Sequence, residues 1–303
     1  MTYDTGGEPP PERHAMNTTT LQRFFDDYYR PLKLRGRSPN TSRLYGCTLR
    51  AFSRWLGYAA TLDDLTDLTI SRYLEHRASE RSPYTAEKDR AQLLALWRFA
   101  ADRSMLRDRP CVPPAPLPER VPVAWSVDQL QALMRAAAAT RGYVGAVPAG
   151  IWYTALLSVL WESAERIGAI LACEPGDFMP PVLTVRAEYR KGGKRDRVYR
   201  LSPETCELVV KACGSRKLFE WPRCHTYLWG KYKEVVARAG LGHDRKVGFH
   251  QLRRSAASHY AALGGDACKL LDHSSPRITQ RWYLDRRMTD REPPAFEVLP
   301  KIG

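Results

Sequence analysis

Four side chains near the C-terminus have the types and the spacing that phosphoryl chemistry requires. His250, Arg253, His273 and Tyr283 fall within a stretch of 34 residues. A guanidinium binds phosphate, an imidazole carries a proton, and a phenolic oxygen is able to attack phosphorus. Because His250 and Arg253 are three residues apart, a helix would place both side chains on one face. The pattern predicts a site where one phosphodiester meets cations, imidazoles and a nucleophile.

Two cationic elements precede this cluster. Arg166 ends an apolar helical run that begins at Ile151. Alternating residues over 182–189 and 196–201 predict the two strands of a β-hairpin. The turn between them reads Arg190-Lys191-Gly192-Gly193-Lys194-Arg195. A lysine on such a turn is able to protonate a departing alkoxide, which is a poor leaving group without that proton.

The order of these residues resembles the tyrosine recombinase (phage integrase) family. The sharpest part of the resemblance is His-x-Leu-Arg-Arg at 250–254, followed by a histidine ten residues before a tyrosine. The resemblance covers most of the chain, including the arginine that follows a helix and the lysine hairpin. The catalytic set that it implies is Arg166, Lys191, His250, Arg253, His273 and Tyr283.

The same resemblance implies the role of each residue. Tyr283 would be the nucleophile of two transesterifications, which cut and rejoin DNA through a 3′-phosphotyrosyl bond. The two arginines and His273 would bind the non-bridging oxygens, Lys191 would act as general acid, and His250 would assist proton transfer. The sequence has no paired carboxylates at ligand spacing and no Gly-rich phosphate loop, so we expect neither metal, nucleotide nor another cofactor.

Several positions depart from the family's pattern. Ala164 and Glu165 replace a small Thr-Gly type of sequence before the first arginine. Ala169 stands where an acidic residue is common, and Asp272 replaces the glycine of a Leu-Gly-His segment. The stretch that leads to His273 is also a few residues short.

The charge of the chain predicts a polyanionic partner. Its 303 residues carry a formal net charge of +14, and most of the excess lies in the C-terminal half. The resemblance makes that partner double-stranded DNA, bound by a homo-tetramer on two synapsed sites, with a monomer free in solution. The side chains predicted to contact DNA outside the catalytic set are Arg43, Lys194, Arg195 and Arg254.

Composition divides the chain into segments. Residues 1–16 are polar and Pro-rich and predict a disordered leader. Four apolar patterns at helical spacing predict a small helical domain over 17–108, which resembles the family's core-binding domain. Six prolines over 109–123 predict an extended linker. The catalytic domain is predicted over 124–303, with a tail from 284.

The predicted fold class is mainly α with a small β-hairpin or sheet (α+β). The two domains would form a clamp, a helical core-binding domain joined to a tyrosine recombinase catalytic domain. Helix starts are marked by Ser38, Ser82 and Ser126, since each has a cap-forming hydroxyl before a proline or a capping-box glutamine. Further helices are predicted at 203–213, 226–239, 249–262 and around 276–283.

Several classes of protein are excluded by what the sequence lacks. No apolar run approaches the 18 residues of a membrane span, and the N-terminal residues have no signal-peptide pattern. Seven cysteines are scattered without a Cys-x-x-Cys pair, which favours reduced thiols in a cytoplasm over disulfides or a zinc site.

Two alternatives remain open from the residues themselves. A type IB topoisomerase uses a similar set of tyrosine, arginine and lysine side chains as a monomer. A non-catalytic DNA-binding protein on the same scaffold would also carry the basic charge. Detection of a covalent DNA adduct separates the last from the other two.

Overall fold

The computed structural model describes residues 19–193, 195–242 and 248–290. Within these ranges the chain forms two compact units that divide between Pro118 and Glu119. Each unit is folded around its own apolar core. The predicted leader, the turn residue Lys194 and the tail beyond residue 290 lie outside the described residues.

The first unit is helical, and all four predicted helical patterns are confirmed. Ser38 and Ser82 cap their helices as predicted, because each hydroxyl accepts a backbone N–H of the first turn. The first pattern is one helical stretch in which a π-helical segment, Phe25–Tyr29, joins two short α-helices. The helices are α1 (Leu21–Phe24), α2 (Arg30–Lys33), α3 (Pro39–Leu56), α4 (Asp67–Glu80) and α5 (Pro83–Ala101), with a 3₁₀ turn at Leu62–Asp64.

A buried carboxylate joins three of these helices. Asp89 on α5 is fully buried and accepts hydrogen bonds from Thr48 on α3 at 2.6 Å and from Tyr73 and Arg77 on α4 at 2.8 and 2.9 Å. Lys88 lies 2.6 Å from the carboxylate oxygen of Asp89 that also accepts from Thr48. Burial alone would raise the pKa of Asp89, but these donors outweigh burial and hold the pKa below its usual range.

The part of the Pro-rich segment that ends at Pro118 packs on the first unit. Val112 is buried in the first core, and its carbonyl accepts a hydrogen bond from Arg90 at 2.6 Å. The Trp97 indole donates to the carbonyl of Asp108 at 2.7 Å. Farther along, the Tyr84 hydroxyl donates to the carbonyl of the last residue of this unit, Pro118. The segment is without helix or strand, as its prolines predict.

The second unit is mostly helical with two small antiparallel sheets. The Ser126 capping box forms as predicted, with Gln129 as its partner. Its helices are α6 (Val127–Ala138), α7 (Ala149–Ser163), α8 (Ile167–Ile170), α9 (Pro203–Ala212), α10 (His225–Arg238), α11 (Phe249–Ala262), α12 (Ala267–Leu271), α13 (Pro276–Trp282) and α14 (Arg286–Thr289), with 3₁₀ turns at Pro175–Asp177 and Ala187–Tyr189. Its strands are β1 (Tyr143–Val144), β2 (Val147–Pro148), β3 (Phe178–Met179), β4 (Val182–Val185) and β5 (Arg197–Arg200). No helix in the described part of the chain is long and apolar enough to cross a membrane.

The predicted hairpin exists, but its first strand is shorter than predicted. β4 and β5 pair antiparallel, with Leu183 opposite Tyr199, and β3 adds a third strand. The prediction that the first strand reaches Tyr189 is wrong, since β4 ends at Val185 and the 3₁₀ turn follows. The Ala187 N–H leaves the strand ladder and donates to the carboxylate of Asp196.

The apolar helix before Arg166 also ends early. α7 stops at Ser163, and Ala164 adopts a left-handed conformation with φ of +47°. Arg166 therefore immediately precedes α8 and does not end α7 as predicted. The apolar pattern continues through the break, so periodicity alone gives no sign of it.

Two clusters place the ends of these helices together. α7 is the centre of the main core of the second unit, where Trp152, Leu156 and Leu157 are fully buried. A smaller cluster contains Ala164, Ala257 of α11, Leu271 of α12 and Tyr283. The end of α7, the middle of α11 and the residues after α12 and α13 therefore meet at one place.

Replacing the carboxylate in Asp89→Ala should destabilise the first unit by about 3–5 kcal/mol. The change leaves buried or half-buried donors without their acceptor. We would measure native-state hydrogen exchange of the α3–α5 amides in the full chain. Asp102→Ala is the matched control, because its ion pair with Arg109 is exposed and contributes less than about 1 kcal/mol. Equal losses in the two variants would contradict the assigned role of Asp89.

Candidate active site

The ring of Tyr283 packs against two imidazoles. The residue follows α13 and is 7% exposed. Its ring centroid lies 5.0 Å from that of His250 on α11 and 4.5 Å from that of His273. The guanidinium carbon of Arg253 lies 5.6 Å from the same ring. Four of the predicted site residues thus form one cluster.

Arg253 is buried and is held by the ends of two other helices. One amino group donates to the carbonyl of Ala164 after α7, and the other donates to the carbonyl of Leu271 at 2.9 Å. The carboxylate of Glu165 lies 3.6 Å away. The Nε of Arg253 is buried and has no hydrogen-bond partner within the described residues. Buried guanidinium N–H groups are nearly always paired, so this donor is available to a ligand.

The two imidazoles are neutral near pH 7. Removal from water, and then the positive charges of Arg254, Arg253 and Arg166, lower the pKa of His250 to about 4. Removal from water, and then the charges of Arg253 and Arg166, lower the pKa of His273 to about 4. The charge of Arg166 lowers the pKa of both histidines, so Arg166 belongs to the same electrostatic cluster.

His273 is also fixed by a hydrogen bond. Its Nδ1 lies 2.9 Å from the hydroxyl of Thr279, a buried residue of α13. His273 follows Asp272, which adopts a left-handed conformation with φ of +53° after the short helix α12. The imidazole is thus positioned from the same helix that leads to Tyr283.

Arg166 is half-buried beside this cluster. Its backbone N–H donates to the carboxylate of Glu165 at 2.7 Å. Within the described ranges no carboxylate forms an ion pair with the Arg166 guanidinium. Its charge is therefore available to an anion.

In the turn of the hairpin, Lys191 and Gly192 are exposed, whereas Arg190 is buried. Lys191 lies on this turn directly after Arg190, and Gly192 has the positive φ of +71° that the turn requires. In the part of the chain that the structure describes, no contact joins the Lys191 side chain to the other five predicted catalytic residues. Arg195 is exposed and lies 3.4 Å from Asp272.

The other predicted DNA-contacting arginines differ in exposure. Arg43 is exposed on α3 and donates to Asn40 at 2.8 and 3.0 Å. Arg254 is half-buried, and its Nε is buried without a hydrogen-bond partner among the described residues. Burial lowers the pKa of Arg254, and its charge reaches both His250 and Tyr283. Arg254 is therefore electrostatically coupled to the cluster.

A network of buried charges that the sequence does not predict lies beside the cluster. The Arg190 guanidinium lies 2.8 Å from the carboxylates of both Glu165 and Asp272. Glu165 also accepts the hydroxyl of Tyr199 at 2.9 Å. Burial would raise the pKa of Glu165, but the Arg166 N–H and the charges of Arg253 and Arg190 lower it. Glu165 and Asp272 were visible as departures from the family's pattern, whereas nothing distinguished Arg190 from a solvated turn residue.

Comparison with solved structures identifies the fold. A lambda integrase tetramer bound to a Holliday junction shares 19% identity at a TM-score of 0.70, over 95% of this chain and 82% of that one. XerH recombinase bound to its palindromic difH substrate, in a post-cleavage complex, shares 16% identity at a TM-score of 0.63, over 84% of this chain and 79% of that one. The Tn1549 transposon integrase in complex with transposon right end DNA shares 14% identity at a TM-score of 0.69, over 88% of this chain and 95% of that one. The predicted fold class, mainly α with a small sheet, is confirmed.

Comparison with family models covers both units. The N-terminal SAM-like domain of phage integrases matches residues 25–104, and the phage integrase family model matches residues 125–289. No curated protein sequence matches the chain. Because the second model alone spans more than half of the sequence, the chain belongs to the phage integrase family.

Proposed function

We propose that this tyrosine-type site-specific DNA recombinase uses Tyr283 to cut and rejoin double-stranded DNA. The observation that carries the proposal is the packing of the Tyr283 ring against two neutral imidazoles, beside a buried guanidinium. Neutral imidazoles are proton acceptors, and the guanidinium groups of Arg253 and Arg166 supply the positive charge that a phosphodiester needs.

In the cutting step the Tyr283 oxygen forms a bond to phosphorus, and the bond from phosphorus to the 5′-oxygen breaks. His250 accepts the phenolic proton directly or through water, and Lys191 donates a proton to the departing oxygen. The product is a 3′-phosphotyrosyl bond and a free 5′-hydroxyl. A second transesterification, in which a 5′-hydroxyl attacks the phosphotyrosine, rejoins the DNA and conserves the bond energy.

The negative charge that develops on the non-bridging oxygens is bound by groups already in place. Arg253 offers its Nε, which has no partner among the described residues, while two carbonyls hold the rest of its guanidinium rigid. Arg166 and His273 complete the binding set. Preorganised donors of this kind typically lower a barrier by about 3–4 kcal/mol each, because they need no rearrangement during the reaction.

The partners follow from the same fold. The working assembly is a homo-tetramer on two synapsed DNA duplexes, as in the lambda integrase tetramer, and we expect a monomer free in solution. The exposed Arg43 and Arg195, with Lys194 and Arg254, would bind backbone phosphates. We expect the protein in the cytoplasm, which fits its free cysteines.

The two alternatives are less well supported. The match to the N-terminal SAM-like domain of phage integrases favours a recombinase over a type IB topoisomerase. The gathered tyrosine, histidine and arginine side chains favour catalysis over DNA binding alone.

Tyr283→Phe should abolish covalent capture of DNA and leave DNA binding within about twofold of wild type, because only the nucleophilic oxygen is removed. A nicked suicide substrate and a denaturing gel measure the adduct, and mass spectrometry identifies the linked peptide. Tyr260→Phe is the matched control, since Tyr260 is an exposed tyrosine on α11. An adduct formed by Tyr283→Phe, or no adduct formed by the wild type, would overturn the proposal.

Folding stability should fall as the pH is lowered from about 6.5 to about 4. Both active-site histidines have a lowered pKa in the folded state, so the unfolded chain binds more protons in this window. Urea unfolding at pH 7 and pH 5 measures the loss, and ring signals in an NMR titration give the pKa directly. The double variant His250→Gln, His273→Gln should show a smaller loss, and His76→Gln, at an exposed site, an unchanged one. An equal loss in the double variant and wild type would contradict the assignment.

A further inference from the structure

The buried charge network has a regular relation to the proposed catalytic residues. It consists of two carboxylates bridged by one guanidinium, and each member directly precedes a catalytic residue in the chain. Glu165 precedes Arg166, Arg190 precedes Lys191, and Asp272 precedes His273. The network thus connects the backbone of three separate catalytic segments.

Burial makes this network rigid. The side chains of Arg190 and Glu165 are 2% and 1% exposed, and both ion pairs of Arg190 measure 2.8 Å. Tyr199 on β5 adds a hydrogen bond to Glu165, which ties the second strand of the hairpin to the same carboxylate. A buried charge cannot leave its partners without exposure to water or loss of pairing. The residue before Lys191 is therefore fixed against two segments of the site.

The end of α12 holds the hairpin at a second point. Arg197 donates to the carbonyl of Lys269 at 2.9 Å, and Arg195 lies 3.4 Å from Asp272. Asp272 keeps a left-handed conformation that glycine adopts without strain and that aspartate and asparagine tolerate. The backbone does not require an acid at this position, so the carboxylate has its own role.

We propose that Arg190 and Asp272 are positioning residues that hold the turn bearing Lys191 in place for proton transfer before DNA binds. The inference depends on the proposed role of Lys191 as general acid and deepens it. Neither residue touches the scissile phosphate. They act through the backbone of the turn, which in this chain is anchored by ion pairs.

Substituting sulfur for the leaving oxygen separates proton delivery from every other step. When Tyr283 attacks a 5′-bridging phosphorothiolate, the oxygen–phosphorus bond forms and the phosphorus–sulfur bond breaks. The sulfur departs with the electron pair as a thiolate. A thiol has a pKa near 8.5, so the thiolate leaves without a proton donor. A variant that only misplaces the general acid should cleave this substrate at a normal rate.

The experiment compares single-turnover cleavage of suicide substrates with oxygen or sulfur at the scissile position. Asp272→Asn keeps a residue that tolerates the left-handed backbone and removes the charge. It should cleave the oxygen substrate about 10- to 100-fold more slowly than wild type, part of the typical contribution of a general acid. On the sulfur substrate its rate should lie within about twofold of wild type. Arg190→Gln should show the same pattern with a larger defect.

Matched variants complete the design. Lys191→Ala is the reference for full loss of the general acid. Asp266→Asn removes a neighbouring exposed carboxylate that caps α12 and pairs with Lys269, and should match wild type on both substrates. Asp272→Gly removes the carboxylate and also relaxes the left-handed backbone. Its comparison with Asp272→Asn therefore separates the effect of the charge from that of the backbone. If Arg190→Gln fails to fold, the two Asp272 variants decide the question, because that side chain is partly exposed.

The outcomes distinguish the inference from the proposed function. Equal defects of Lys191→Ala on both substrates would overturn the general-acid role itself. Rescue of Lys191→Ala by sulfur, with Asp272→Asn equally slow on both substrates, would show that the network acts on His273 or on folding, and would overturn the inference alone. A wild-type rate for Asp272→Asn on oxygen would also overturn it.

Discussion

Burial of the Arg253 guanidinium is the constraint on which the site depends. A charge that is 2% exposed is tolerable only with close acceptors, and the chain provides the carbonyls of Ala164 and Leu271 and the carboxylate of Glu165. These acceptors lie at the ends of α7 and α12. Satisfying one side chain therefore fixes where two helices end, and the Tyr283 ring packs against the cluster so formed.

The cluster around Tyr283 carries more positive charge than its carboxylates balance. Burial and the nearby Arg166 lower the pKa of Arg253, and the two imidazoles give up their protons for the same reasons. Glu165 offsets part of this charge but is shared with Arg190. The buried Nε groups of Arg253 and Arg254 stay unpaired within the described chain. On the proposed function, a bound phosphodiester would supply both the missing acceptors and the missing negative charge.

Local signals in the sequence predict local structure well here. The hydroxyls of Ser38, Ser82 and Ser126 mark helix starts because their hydrogen-bond partners lie within three residues. The spacing of His250 and Arg253 gives a shared helix face for the same reason. Partners that are distant in sequence leave no such signal. The left-handed break after α7 depends on α11, and the burial of Arg190 depends on carboxylates 25 and 82 residues away. The sequence therefore predicts side chains that gather around Tyr283 but not the charges that hold them.

The departures from the family's pattern make sense as one set of charges. Ala169 stands where an acid is common, and it is 2% exposed within the main apolar core. Glu165 instead brings a carboxylate to Arg253 from the other side of Arg166. That carboxylate also attracts Arg190, and the second charge of the bridge comes from Asp272. Glu165, Arg190 and Asp272 therefore form one set of coupled charges, and replacing any one of them changes the effect of replacing the others.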